Sequence, residues 1–447
     1  MNCGATTLTS GRTALDPNLS GLGPCFRRYG LTPVNLAGNA KIVTARYVNP
    51  SCPTQTNGRP ERLSAKLKQM TGRLTIVAHE AGAWANHRSR TVERATQCGW
   101  RVSLLMGGQG DPVPLGGNTA PVYEALPMAR GRSGPFEVVH TIAILRKRLR
   151  EADAVELVTV KPIVLGMAAW RTMLPHRRPH VTATFAGLGT VLDDALKTRF
   201  HPMTVVLRLL LRDHASVLVE NADDARSLVS AGIAQQADII VGPGVGLPAS
   251  WLQHPANQPL EDDQPLTILY VGRLIGSKGV VDLIDALRVL KTRGTPVRAL
   301  LAGSLDDRNP SAVSEAEVRQ WEAEGLVEWL GHVSDLLPVY RRADIVVLPS
   351  HREGRPRSLM EAQALGIPVI ATDVPGCRQV IAPNQTGLMV SPKNAVALAD
   401  AIESLSSDRQ TRSRYGANAR KWAQIEFREE AFLDVWERTV LRTRKHH

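Results

Sequence analysis

From Leu74 onward the chain alternates short apolar runs with amphipathic stretches of helix length. Leu74 to Ala78 is such a run, a helical pattern follows to Cys98-Gly99, and Val102 to Met106 is the next run. Strands separated by helix-length segments imply parallel βαβ units. The pattern continues through Ala154 to Val160, Val181 to Phe185, Ser216 to Glu220 and Ile239 to Val241, which predicts one Rossmann-like α/β domain over 71–245. Residues 1–70 show neither period. Stretches such as Asn49 to Gly58 bury too little surface to offset ordering entropy, so the segment is read as a disordered or non-native extension. A second methionine, Met70, stands just before the first strand.

Between Gly242 and Pro265 the text is rich in Pro, Gly, Asn and Asp and no period persists, which places a linker at 246–265. A second series then runs through Leu266 to Val271, Arg298 to Ala302, Val327 to Leu330, Ile345 to Leu348 and Val369 to Ala371. It predicts another Rossmann-like domain over 266–425, with an amphipathic helix from Asn394 to Leu405. A last helix, Phe427 to Leu441, spaces Phe427, Phe432, Trp436 and Val440 at about one turn and opens a carboxy-terminal helix and basic tail, 426–447. Ligands of such sheets sit at the carboxyl ends of the strands, and two facing halves add a second wall.

Composition narrows the partners. Only 4% of the 447 residues are aromatic, and apolar runs such as Ile345 to Pro349 are strand-sized, short of the ~20 residues of a bilayer span. The five cysteines, Cys3, Cys25, Cys52, Cys98 and Cys377, form no CxxC pair, so neither a disulfide framework nor a zinc cluster is expected and a reducing cytoplasm fits. Met1 to Arg12 lacks the pattern of a cleaved signal peptide. The net charge of +12 is concentrated early: residues 1–72 hold nine Lys/Arg against two Asp/Glu, whereas 246–447 hold 25 against 25. No basic stripe interleaved with aromatics marks a folded module, so nucleic acid is not an expected partner.

Two loops carry the chemistry. Tyr270-Val271-Gly272-Arg273-Leu274-Ile275-Gly276-Ser277-Lys278-Gly279 leads a strand into a glycine-bearing turn and then a helix from Val280 to Leu290. Its glycines allow close backbone approach, and Arg273 and Lys278 suit a diphosphate; a glycine turn with solvated charges reads the same way. The spacing matches neither Walker A nor GxGxxG. The second loop, Pro349 through Ala362, sets Glu353 eight positions before Glu361, in a helix starting near Pro356 whose free amides favour an anion. Two carboxylates beside a diphosphate would be repelled by it, so sugar hydroxyls are their natural partners, unless both are simply solvated.

Together these loops resemble the family 4 retaining glycosyltransferases of GT-B fold, in the sub-group that builds bacterial polysaccharides and lipid-linked glycans. The resemblance rests on Val271-Gly272-Arg273-Leu274, Lys278-Gly279, Leu301-Ala302-Gly303, Leu330-Gly331-His332-Val333 and Leu348 through Gly376, and more weakly on Thr159-Val160-Lys161-Pro162 and Gly187-Leu188-Gly189. It implies a GT-B architecture, two Rossmann-like domains facing across a cleft with helices at the carboxy terminus. It also implies that Glu361 holds the ribose, that Glu353 contacts the donor sugar, and that Arg273 and Lys278 hold the diphosphate. Gly272, Gly354, Arg355, Pro356, Ser358 and Leu359 would line the donor site, with Val333 beside the nucleobase. Arg355-Pro356-Arg357 departs from the family's smaller or apolar residues here. In the amino-terminal half Gly82, His87 and Lys161 are candidate sugar or acceptor contacts; His87 also reads as a helix cap, while Lys161 at a strand end would point into the cleft.

The expected reaction moves a sugar, UDP-linked by expectation, from a nucleotide diphosphate sugar to an acceptor hydroxyl with retention. No DxD motif or His/Cys cluster is present, so metal independence and no cofactor beyond the co-substrate are expected. An epimerase or phosphorylase of the same architecture, or a non-catalytic nucleotide-sugar-binding protein, are the competing classes. Arg146-Lys147-Arg148-Leu149-Arg150 and Arg177-Arg178 add an expectation of reversible contact with an anionic membrane at its cytoplasmic face.

Overall fold

Strands with Val, Ile and Leu at successive positions suit a sheet covered on both faces, and the chain forms two such sheets. The structure, a computed structural model, describes residues 72–442 except 80, 108–120, 129–133, 189–191, 193–194, 197, 199, 213–214, 258–264, 307–308 and 310. The extension 1–70 lies outside the described residues. In the first sheet β1 (Arg73–Ala78), β2 (Arg101–Gly107), β3 (Val122–Leu126), β4 (Ala154–Val158), β5 (His180–Phe185), β6 (Ser216–Val219) and β7 (Ile239–Val241) run in the order β3-β2-β1-β4-β5-β6-β7. The second orders β8 (Leu266–Val271), β9 (Val297–Ala302), β10 (Glu328–Gly331), β11 (Ile345–Leu348), β12 (Val369–Thr372) and β13 (Gly387–Val390) as β10-β9-β8-β11-β12-β13. All described pairings within both sheets are parallel. Strand order reverses between β1 and β4 and between β8 and β11, the positions at which open α/β sheets bind ligands.

Local chemistry explains the helices that border these points. Val280–Arg293 buries Val280, Leu283, Ile284, Leu287 and Leu290 along one stripe and stops at Gly294, whose φ of 76° is left-handed. The helix Val160–Arg171 begins two residues after β4, across Thr159 at a φ of 73°. Lys161, expected at a strand end, therefore stands in the first helical turn. β3 escaped the apolar pattern because it is an edge strand on which only Leu126 is buried.

The carboxy-terminal helix Glu429–Val440 does not stay with the second sheet. It lies on β4, β5 and the helix Ala81–Gln97 of the first, where Phe432, Leu433, Trp436 and Val440 join one buried apolar cluster with Ala154, Val158 and Trp84. Two backbone crossings bind each other where the chain passes between domains: Leu247 N–H donates to Phe427 O at 2.7 Å and Glu429 N–H to Leu247 O at 3.1 Å. Gly246 is required there, since a Cβ would lie 2.6 Å from the backbone of Phe427, Arg428 and Glu429. Trp436 is fully buried, and its indole N–H donates to Glu156 Oε2 at 2.9 Å. Trp436→Phe retains most of the packing but removes that donor from a buried carboxylate, so we expect a loss of about 1–3 kcal/mol. Urea denaturation checks it, and an unchanged midpoint would contradict the role given to this bond.

Candidate active site

The carboxyl ends of both sheets open onto one cleft of about 1160 Å³. On the second sheet's side, the turn after β8 and the loop after β11 are joined by an ion pair, Lys278 Nζ lying 2.6 Å from Glu353 Oε1, and by the His351 N–H donating to Ser277 O at 3.0 Å. Ser350, fully buried, donates its hydroxyl to the same oxygen at 2.7 Å. The approach of the loops depends on Gly279, at a φ of 72°, where a Cβ would sit 2.0 Å from Pro349 O. Arg273 Nη1 is 2.5 Å from Asp306 Oδ2 after β9.

Glu361 stands in the helix Arg357–Ala364. One oxygen takes a hydrogen bond from Arg357 Nε at 2.7 Å, and the other from Tyr340 OH at 3.0 Å. Burial raises the Glu361 carboxyl above the ordinary range, opposed by Arg357 and Tyr340. The Tyr340 hydroxyl is pushed up as well, first by its burial and then by Glu361.

The first sheet supplies the facing wall. Arg88, 4% exposed, reaches Glu220 Oε1 at 2.9 Å and stands 3.7 Å from Glu156 Oε1. Burial raises the Glu220 carboxyl, against the opposing pull of Arg88 and Arg355. The walls touch at two glycines, where a Cβ on Gly187 would lie 3.1 Å from Gly354 Cα. Arg352 Nη2 also spans to Asp224 Oδ1 at 2.7 Å.

Of the residues singled out in the sequence, Gly272, Arg273, Lys278, Val333, Glu353, Gly354, Arg355, Pro356, Ser358 and Glu361 all line this cleft. Leu359 does not; its side chain is fully buried in the second domain's core. Arg355 runs along the cleft base toward the crossings, donating to Glu426 O at 3.0 Å with its guanidinium 5.4 Å from the Phe427 ring centre. Lys161 is not among the lining residues, which on that side are Val158 and Thr159. Gly82 and His87 fall in the helix Ala81–Gln97, and their side-chain environments lie outside the described residues. Sequence reasoning missed Trp84, Arg88, Glu220, Asp306 and Tyr340. The available signal was the apolar-polar pattern of the helix from Ala81, which sets Trp84 and Arg88 one turn apart. Among the described residues no group of three or more His, Cys, Asp or Glu side chains is arranged to hold a metal ion.

Two Rossmann-like domains joined by paired crossings around such a cleft define the GT-B class. Residues 255–422 match the family model of glycosyl transferases group 1. A capsular polysaccharide biosynthesis glycosyltransferase of Staphylococcus aureus is 33% identical over 38% of this chain; the chain spans 43% of that relative. An N,N'-diacetylbacillosaminyl-diphospho-undecaprenol alpha-1,3-N-acetylgalactosaminyltransferase of Campylobacter jejuni is 26% identical over 71% of this chain and 85% of its own. Sucrose-phosphate synthase from Thermosynechococcus elongatus superposes with a TM-score of 0.68 at 20% identity, over 82% of this chain and 98% of that one. Anabaena HepE in complex with UDP gives 0.63 at 18%, over 82% and 99%. The similarity to the group 1 glycosyl transferases thus lies in the second domain, and the solved structures share the GT-B fold.

The raised Glu361 carboxyl has a consequence for stability. Below the ordinary carboxylate range the folded and unfolded chains both carry the proton; as pH rises the unfolded chain releases it first, so the folded state binds more protons and loses stability until its own group ionises. The stability of the parent relative to Glu361→Gln should therefore fall as pH rises from about 4 and then level off. Urea midpoints of both proteins across that range test this, and a difference that is flat or grows with pH would refute it.

Proposed function

We propose that the protein transfers a sugar from a nucleotide diphosphate sugar, UDP-linked, to an acceptor hydroxyl of a surface polysaccharide or lipid-linked glycan, with retention at the anomeric carbon. The observation that carries this is the convergence of Arg273, Lys278, Glu353 and Glu361 on one cleft wall at the switch point of the second sheet. Negative charge grows on the departing diphosphate, and Arg273, Lys278 and the helix amides near Ser358 are suited to stabilise it. That is the work a divalent cation does in other transferases, so the reaction is read as metal-independent. Glu361 would accept from the ribose hydroxyls and Glu353 from the donor sugar. The acceptor oxygen attacks from the face the diphosphate leaves; the sugar–phosphate bond breaks toward the phosphate oxygen, which takes the acceptor proton. The Anabaena complex with UDP supports the choice of base, and the capsular and undecaprenol-linked relatives support the acceptor class.

Calorimetric titration with UDP, GDP and ADP tests the reading. Lys278→Ala and Glu361→Ala should each weaken UDP binding by about tenfold or more, the loss expected of one hydrogen bond involving a charge. Unchanged affinity in both variants would remove the assignment.

A lipid-linked acceptor would be met at a membrane surface. Among the described residues no helix is long and apolar enough to cross one. The helix Pro135–Leu149 instead exposes Phe136 and Val139 near Arg146 and Lys147, while Arg148 is engaged by Glu124 at 2.6 Å. Each cation near an anionic leaflet contributes about 1 kcal/mol, so Arg146, Lys147 and Arg150 together suit loose docking. In flotation with anionic vesicles, changing these three to Glu in the full chain should sharply reduce recovery relative to the parent. Equal recovery of both proteins, or of the parent with anionic and neutral vesicles, would argue against docking by charge.

A further inference from the structure

The amino-terminal wall of the cleft carries polar groups that the nucleotide reading leaves unused. Trp84 and Arg88 lie one turn apart on the helix Ala81–Gln97, are 5% and 4% exposed, and both line the cleft. Trp84 Nε1 and Arg88 Nη1 are buried donors without a hydrogen-bond partner. A buried N–H left unpaired costs free energy, and such atoms beside a cleft mark a place where a ligand oxygen completes the bonding. Glu220 lies beside Arg88, just after β6. Its Oε1 is held by Arg88, and among the described residues its Oε2 accepts no hydrogen bond, although it would lie 3.3 Å from a Cβ on Gly354, in the donor loop opposite.

We propose that Trp84, Arg88 and Glu220 form a subsite for the hydroxyl groups of a neutral sugar ring at the reacting end of the acceptor. A hydroxyl both donates and accepts, and this wall offers it a carboxylate oxygen together with two unpaired N–H groups. A phosphate or carboxylate fits poorly: Glu156 and Glu220 share the Arg88 guanidinium, and although Arg355 also acts on Glu220, the cations Arg273 and Lys278 belong to the opposite wall. Arg88 is held from behind by Glu156, which Thr184 and Trp436 satisfy at 2.8 and 2.9 Å, so the donor fork is fixed before substrate arrives. This inference deepens the glycosyl-transfer reading and rests on it.

The test uses the full chain saturated with UDP and follows two probes by saturation-transfer NMR, methyl α-D-glucopyranoside and glucose 6-phosphate, with UDP affinity measured separately by calorimetry. The parent should bind the neutral glycoside in preference to the phosphate. Glu220→Gln, which keeps the shape but replaces the accepting carboxylate, should weaken glycoside binding about tenfold or more with UDP affinity unchanged. Trp84→Phe should weaken it about threefold, and decides alone should Glu220→Gln fail to show a folded melting transition. Undiminished glycoside binding in the folded variants, no glycoside binding by the parent, or tighter binding of the phosphate overturns the subsite. Absence of UDP binding by the parent would instead overturn the nucleotide-sugar reading.

Discussion

A carboxylate almost withdrawn from water has to be neutralised where it stands, and Glu353, 9% exposed, is neutralised by Lys278 at 2.6 Å. Much of the second domain's cleft wall follows from that pair. Lys278 ends a short 3₁₀ turn, Gly276–Lys278, so the cation reaches Glu353 only if the turn after β8 lies directly over the loop after β11. Gly279 permits this approach against Pro349 O. Gly376 permits the equivalent one behind Glu353, because a Cβ there would fall 2.4 Å from Glu353 O. Ser350 donates to the carboxylate and is itself held through its carbonyl by the Thr372 hydroxyl. The result is a preorganised wall in which charge, hydroxyl and glycine positions depend on one another, the condition under which electrostatic stabilisation acts without reorganisation.

The second constraint is that two walls function only if they face each other. The carboxy-terminal helix does this by returning to the first domain, where Trp436 meets Glu156 beneath Arg88. Arg94 on the helix Ala81–Gln97 adds pairs to Glu430 at 2.6 Å and Glu437 at 3.0 Å of the same returning helix. These lie nearer the surface and contribute less each than the buried contact, but they tie the helix bearing Trp84 and Arg88 to the segment just after the crossing. Arg355, against Gly244 on one crossing and Phe427 on the other, links the donor loop to the same junction.

The strands were legible because a parallel sheet covered on both faces needs uninterrupted apolar runs, and Leu266 to Val271 and Ile345 to Leu348 have no competing pattern. The second domain's wall of the cleft was legible because its residues are close in sequence: Arg273 and Lys278 share one turn, and Glu353 and Glu361 one loop and helix. The facing wall was not. Arg88 and Glu220 are separated by 132 positions and meet only through the strand order β1-β4-β5-β6, which one sequence does not print. Lys161 was misplaced relative to the cleft because a strand-like run passes into a helix at Thr159, whose positive φ is unusual for a β-branched residue. Trp436 shows the opposite failure: its helical spacing announced a buried stripe but not which domain would bury it.

The charges of the cleft finally give it a polarity that any ligand entering it would meet. Arg273 and Lys278 stand on the second domain's wall, while the first domain presents the Glu156–Arg88–Glu220 cluster. A molecule with an anionic end and a neutral, hydroxyl-rich end is oriented by that difference alone, because reversing it brings a diphosphate against Glu220 and leaves two cations facing a sugar. The orientation does not require the walls to move. Contact between Gly187 and Gly354 and the Arg352–Asp224 pair at 2.7 Å already hold them together. Domain approach and polarity are thus set by residues outside the glutamate pair.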